Sequence, residues 1–390
     1  MYQLITIALL RYPSWLVRAA IPALRPRRTW CLRRALDVYT WRHWYRVLQK
    51  TGSYTHKPDH RALKTSKHVL GEWVEPMDDS FIVGEVRTWA NLVDAKAIRL
   101  PAYWRYKQSS NIHIGARAAP GEKYTSLSAH PSDPTSEFAK GLVQHIPSVH
   151  RFFYLEYRVS SGPPESQTFS HPFPIALIDA LSGYTHLVKH LSFAPENIIA
   201  AGDSAGGNLA LALVRYLAHN YDQDLSHANT LRHADIKSLA PLGYVVLSSP
   251  WTDLGSSHDR PGSSLHTLLD VDFILPSDIP TAVRKLTGPR GMQEAETKPY
   301  MSSATLDPRV LERGRFVGFP KTSIIGGGAE CLVDSIRTLA RLMKQDGRGE
   351  KRVWYHETKD GVRDFMGLHS GEPERTQVLK EIAEWVGRET

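Results

Sequence analysis

Cysteine is nearly absent from this chain: its 390 residues hold only Cys31 and Cys331. The two lie far apart in sequence and are expected to be free thiols, so nothing in the chain requires an oxidising compartment. Long apolar runs are missing too. The first uncharged stretch ends at Arg11, too short to span a bilayer, and neither a charged leader region nor a small-residue cleavage site marks a secretory signal. The expected location is intracellular, with membrane association as an open alternative. Internal repeats and low-complexity tracts are absent, which excludes solenoids and arrays. No motif indicates a metal, nucleotide or haem, so no cofactor and no metal site are expected. With 42% hydrophobic and 23% charged residues, the chain is long enough for one large α/β core plus an accessory segment.

Acidic residues are scarce in one region only. Residues 1–50 carry ten Lys or Arg against Asp37 alone, leaving 38 basic against 39 acidic residues in the rest of a chain whose net charge is +8. The basicity belongs to an arm, which argues against a nucleic-acid partner. That arm, residues 1–60, interleaves Trp15, Trp30, Trp41 and Trp44 with arginines. Two roles fit it: a helical lid packed over a pocket, or a helix lying in a membrane interface with its arginines at anionic headgroups.

From Lys50 to Met77 the chain is polar and turn-rich and reads as a linker. IVGEVRTWANLV, AIRLPAYWRY and NIHIGARA then give short strand-like runs, expected to open a sheet in antiparallel fashion. After Ala119 no apolar run is able to make a central parallel strand. Downstream the pattern is orderly. Asp133 or Ser136 can cap a helix toward Ile146, RFFYLEYRV reads as a buried strand, and Phe173 to Leu191 shows helical spacing. Strand and helix then alternate to the C-terminus through GYVVLSS, KTSIIGG, a helix from about Leu332 to Lys344, KRVWYHE and a terminal helix from about Glu374. Such alternation predicts an α/β fold, a mostly parallel sheet with helices on both faces, over residues 80–390. An irregular excursion at about 251–319 is expected to cap the site.

One stretch stands out, IIAAGDSAGGNLALAL from Ile198 to Leu213. A strand followed by Gly202-Asp203-Ser204-Ala205-Gly206 and a small-residue helix reads as a nucleophile elbow. The turn is tight enough to need glycine around Ser204, and the amide of Ala205 at the helix start favours a developing oxyanion.

GDSAGGN, together with YRV (157–159), FPIALIDAL (173–181) and SPWTDL (249–254), resembles the hormone-sensitive-lipase-like branch of the α/β-hydrolases. SAHPSDPT (128–135) and DALSGYTHLV (179–188) are most similar to its fungal members, some of which act in secondary metabolism. The resemblance covers roughly Ala97 to the C-terminus and implies an α/β-hydrolase fold with a serine–acid–histidine site acting on carboxylic esters. Glu330, in IIGGGAECLVD, falls where the family's acid falls, whereas Asp334 reads as a solvated helical carboxylate. The family's HGG-type oxyanion motif, with the strand before it, is missing ahead of Tyr124. Either that strand was lost in evolution or a misplaced splice junction removed it. The catalytic histidine is missing as well: Asp360-Gly361-Val362-Arg363-Asp364-Phe365 places arginine in its seat. A guanidinium has no acceptor and cannot take the serine proton. His369, six residues on, and His356, within the strand, are the substitutes within reach, and His369 is the one carried forward with Ser204, Glu330 and Ala205.

Two functions follow. In one, Ser204 forms an acyl-enzyme with a small hydrophobic ester. In the other, the chain is a catalytically impaired descendant that binds a small hydrophobic ligand or a partner, as the plant gibberellin receptors of the same branch do after losing their histidine.

Overall fold

Tryptophan and small apolar residues, not arginine, decide how the chain begins. The computed structural model describes residues 6–51, 59–65, 69–107, 117–119, 130, 136–164, 166–226, 240–346 and 351–388. Helices α1 (Tyr12–Ala20) and α2 (Leu32–Thr51) form the arm. Between them Trp30 is almost wholly buried and donates from its indole N–H to the carbonyl of Asp360 at 3.1 Å.

Strand β1 (Leu70–Val74) comes next, inside the segment read as a linker. It pairs antiparallel with β2 (below), and Glu72 accepts a 2.8 Å hydrogen bond from the indole of Trp104. Its strand character comes from its partner rather than its own apolar content. Helix α3 (Gly84–Leu92) replaces the strand expected at IVGEVRTWANLV. Its buried residues are Val86, Trp89 and Ala90, the i, i+3, i+4 spacing of a helix packed on one side.

Strand β2 (Leu100–Tyr106) pairs antiparallel on its other side as well. Strand β3 (Arg117–Ala119) is parallel to its neighbour, not antiparallel as expected. Helix α4 (Glu137–His145) starts after Ser136, and β4 (Arg151–Leu155) follows. The strand order here is β1-β2-β4-β3. The residues flanking β3, where the missing oxyanion strand was sought, lie outside the described residues, as do Tyr124 and, apart from His130, SAHPSDPT.

Helix α5 (Ile175–Thr185) is buried along its whole length. Then come β5 (Ile199–Asp203), α6 (Ser204–Ser226) and β6 (Tyr244–Ser248). The excursion beyond β6 carries four short helices, α7 (Ser264–Thr267), α8 (Ile279–Thr287), α9 (Gln293–Thr297) and α10 (Pro308–Arg313). Strand β7 (Lys321–Ala329), α11 (Val333–Asp346), β8 (Val353–Val362) and α12 (Glu374–Gly387) complete the chain. The parallel ladder β5-β6-β7-β8 is sandwiched by two apolar clusters.

Alternate side chains of a strand point to opposite faces, and the clusters divide accordingly. Ala200, Val245, Leu247 and Ile324 join α3, α5 and α6 on one face. Ile199, Ala201, Val246 and Ile325 join α4, α12 and, from the arm, Trp30, Ala35 and Val38 on the other. The second half of the arm is therefore part of a sheet-covering layer. Its polar ties agree: Arg34 pairs with Glu374 at 2.7 Å and Arg27 with Asp360 at 3.3 Å.

Trp30→Ala removes a large buried side chain at this junction and is expected to cost about 3–5 kcal/mol, read as a lower urea midpoint. An unchanged midpoint would show that the arm does not share the core.

Candidate active site

The turn from β5 into α6 leaves no space for side chains where glycine stands. A Cβ on Gly202 would sit 2.4 Å from the backbone of Gly206, and one on Gly207 would sit 2.8 Å from Pro250. Ser204, between them, has a left-handed φ of 48°, strained for a non-glycine residue and found where surrounding structure enforces it. Its carbonyl is held by the amide of Trp251 at 2.8 Å. The result raises the hydroxyl beside the start of α6, whose first amides, Ala205 among them, have no intrahelical partner.

Four segments converge on that hydroxyl. Arg363, just beyond β8, is 1% exposed, and its Nη1 donates toward Ser204 Oγ at 3.5 Å. Its Nε donates to both oxygens of Asp272, at 3.2 and 3.3 Å, and its Nη2 faces Glu330 Oε2 at 3.8 Å. Both carboxylates are fully buried. Glu330 also accepts from the amide of Gly327 at 2.6 Å, and Asp272 from that of Cys331 at 2.6 Å. Burial works against a charged guanidinium, but Asp272 and Glu330 outweigh it and hold Arg363 firmly protonated. A pocket of about 80 Å³ opens onto Ser204, Ala205 and Arg363, walled by Phe273 and Asp278 from the excursion and by Tyr45 from α2.

A family model described as the α/β-hydrolase fold matches residues 166–367, just over half of the chain. The chain belongs to the α/β-hydrolase family. The chain is 28% identical over 225 residues to the esterase LipU of Mycobacterium tuberculosis, a match covering 56% of this chain and 64% of LipU. The chain spans less than two thirds of the length of the curated relatives it matches. Among solved structures, carboxyl esterase 2 of the mycorrhizal fungus Tuber melanosporum shares the fold at a TM-score of 0.58 and 14% identity, covering 88% of this chain and 96% of that one. A hormone-sensitive lipase from a metagenome library does so at a TM-score of 0.52 and 24% identity, over 73% and 81% of the two chains. The fold expected from the elbow sequence is thus the fold present.

The structure brings Ser204, Ala205 and Glu330 to one place and leaves His369 out of it. After β8 the chain turns at Asp364, with φ 51°, and buries Phe365 and Met366. This carries His369 outward to an exposed turn, where its charge acts on Glu137 of α4. His356 pairs with Glu381 of α12 at 3.0 Å and does not line the pocket. Asp334 accepts from the amide of Ser264 at 2.8 Å and pairs with Arg337 at 3.1 Å.

Sequence reasoning missed Asp272, Asp278 and Tyr45. The signal for Asp272 was the arginine itself, since a guanidinium buried in the histidine seat requires a carboxylate partner. A threonine–histidine–acid cluster also exists elsewhere in the chain. His258 Nδ1 lies 2.7 Å from Asp253 Oδ2 and its Nε2 lies 3.0 Å from Thr338 Oγ1. None of the three lines the Ser204 pocket, and the cluster ties the start of the excursion to α11.

The carboxyl of Glu330 is pushed up to about 7, by burial above all, with Arg363 opposing and Asp272 reinforcing. A carboxyl raised in the folded state contributes stability that is full below the unfolded value and is lost as pH climbs toward 7. Glu330→Gln is free of that loss. Its stability relative to the parent is expected to be higher at pH 8 than at pH 5, by on the order of 1–3 kcal/mol, read by urea denaturation at both pH values. No difference between the two pH values would mean that Glu330 is ionised throughout.

Proposed function

We propose that this chain is a serine hydrolase of carboxylic esters, with Ser204 as nucleophile, and that arginine at position 363 makes it a slow one. The observation that carries this reading is Ser204 itself, held at a left-handed φ on a glycine-bounded strand–helix turn. The hydroxyl oxygen attacks the ester carbonyl, the amide of Ala205 donates to the oxyanion, and the alcohol departs to leave an acyl group on Ser204. Water then cleaves the acyl–oxygen bond and releases the carboxylate.

The nearby guanidinium favours negative charge on Oγ but has no lone pair with which to take its proton, which passes to solvent instead. A positioned base contributes roughly 10²- to 10⁴-fold, and that is the expected deficit. The pocket of about 80 Å³ is well below the roughly 300–1,000 Å³ of drug-sized sites, which favours acetyl-sized acyl groups while the arm is closed. The likeness to fungal members supports extending the reading to an ester of fungal secondary metabolism.

A second reading has its own observation. Two buried carboxylates fix Arg363 beside Ser204, an arrangement suited to presenting a donor to a bound ligand without turning it over. The two separate on p-nitrophenyl acetate. Hydrolysis above buffer is expected for the parent, its loss in Ser204→Ala, and a gain of at least about tenfold in Arg363→His, since imidazole restores a base. If parent and Ser204→Ala both match buffer while folded, the ligand-binding reading replaces the catalytic one.

Membrane contact through the arm is part of the same proposal. Helix α1 buries Ala19 alone, while Leu9, Leu10, Tyr12, Leu16, Val17 and Ile21 are each more than 40% exposed. Arg11 and Arg18 flank them, and both are exposed. An apolar face of this extent needs a cover, and interleaved arginines fit an anionic bilayer interface. No described helix is long and apolar enough to cross a membrane. Co-sedimentation with phosphatidylserine-containing vesicles is expected, with loss of at least about tenfold for Leu9→Ser/Leu16→Ser/Val17→Ser; equal pelleting with and without vesicles would exclude it.

A further inference from the structure

Four residues of the arm close on Asp360, near the end of β8. Thr29 Oγ1 and Arg27 Nη1 donate to its Oδ1 at 2.9 and 3.3 Å, while the indole N–H of Trp30 and Nη1 of Arg34 donate to its carbonyl at 3.1 and 3.4 Å. Arg27 Nη1 also donates to the carbonyl of Lys359 at 2.7 Å. Partly exposed contacts of this sort add little stability one by one. Together they fix where the backbone of Asp360 lies.

Three positions on, the same backbone delivers Arg363, and the stretch between is closely backed. Glycines of β7 rest directly on it: a Cβ on Gly327 would sit 2.4 Å from the carbonyl oxygen of Gly361, and one on Gly328 would sit 2.6 Å from that of Lys359. No side chain stands between the strand that ends in Glu330 and the strand that ends in Arg363. Beyond Arg363, the amide of Asp364 donates to Ser249 Oγ at 2.9 Å. Arg363 therefore hangs between two anchors, the arm on one side and Ser249 on the other.

Farther along α2 the arm reaches the segment that carries the partner of Arg363. The rings of Trp41 and Phe273 lie 6.4 Å apart, Arg42 faces Asp270 at 3.9 Å, and Tyr45 stands in the pocket wall. Asp272 falls between Asp270 and Phe273 in sequence. The arm thus holds both backbones whose side chains form the Arg363–Asp272 pair, and a pair held from outside and joined inside moves as one body.

We propose that the arm is a bracket for the active site, and that Asp360 is a positioning residue through which the arm sets residue 363 over Ser204. The bracket deepens the reading of Ser204 as a nucleophile with position 363 as the seat of its missing base. It rests on that reading wherever hydrolysis is measured, and stands apart from it wherever thiol labelling is.

Arg27→Ala/Thr29→Ala tests the bracket, because among the described residues the side-chain hydrogen bonds of both go to Lys359 and Asp360. An effect on the excursion then passes through Arg363 and Asp272. Cys331 reports it: the residue is fully buried, its amide donates to Asp272 at 2.6 Å, and its Sγ lies 3.6 Å from the carbonyl of Leu268. In a Cys31→Ser background, iodoacetamide labelling of Cys331, read by mass spectrometry, is expected to run at least about tenfold faster in the double variant. Arg27→Lys/Thr29→Ser keeps a donor at each position and is expected to return the rate to within about threefold of the parent. Ile382→Val trims a fully buried side chain of α12 and controls for lost stability. On p-nitrophenyl acetate, Arg363→His is expected to lose kcat at least about tenfold when the double alanine change is added, with KM unchanged, since a misplacement of about an ångström costs on the order of 10²-fold. Unchanged labelling, an equal rise in Ile382→Val, no rescue by the conservative pair, or a change in KM with kcat unchanged overturns the bracket. If Arg363→His shows no hydrolysis, the ester reading fails, and the labelling result still decides for or against the bracket.

Discussion

The buried charge on Arg363 is the constraint around which the site is built. A guanidinium with 1% exposure cannot remain without negative partners, and here one comes from the turn after β7 and the other from the excursion after β6. Removing either partner, or the arginine, would leave a charge stranded in a dry interior at a cost of several kcal/mol. Glu330, Asp272 and Arg363 are therefore energetically coupled. In the histidine-bearing arrangement that the family resemblance implies, a neutral imidazole needs one acid. The positive residue here has two, and the second reaches in from a segment that a simple serine–acid–histidine plan would not employ.

The parallel half of the sheet was legible because both of its faces are buried, so β5, β6 and β7 are written as apolar runs between glycines. The elbow was legible because steric clearance at Gly202 and Gly207 restricts the sequence itself. The opening of the chain was harder. The runs at α3 and β1 are short, and their structure is set by partners distant in sequence: Val83 at the start of α3 donates its amide to Tyr216, and Glu72 is gripped by Trp104 and His186. Asp272 was invisible for a similar reason. It sits in an irregular segment 91 positions from Arg363, and no periodicity links the two. His369 lies six residues past the arginine, a spacing that does not match the family's, and the structure leaves it exposed on a turn that does not line the pocket.

The arm shows one segment obeying two environments. From Trp30 onward it follows the rules of a core, with Trp30, Ala35 and Val38 packed in the same cluster as Val246 and Ile325. Before Trp30 it does the reverse, and α1 turns leucine and valine outward. The transition falls at Arg25, whose guanidinium donates to the carbonyls of Ala19 and Trp30 at 2.6 and 2.5 Å. Tyr45, farther along α2, reaches the pocket wall, so a continuous helix links the surface-facing segment's neighbour to the mouth of the site.

The short strand β3 pairs parallel with β4 and lies against β5. Phe153 and Leu155 of β4 share a core with Ala200 of β5, so apolar packing ties the antiparallel opening of the chain to the strand that delivers the nucleophile. Ser204 begins the helix that leaves β5, and a change in the packing of Phe153 or Leu155 therefore reaches the nucleophile through a single strand.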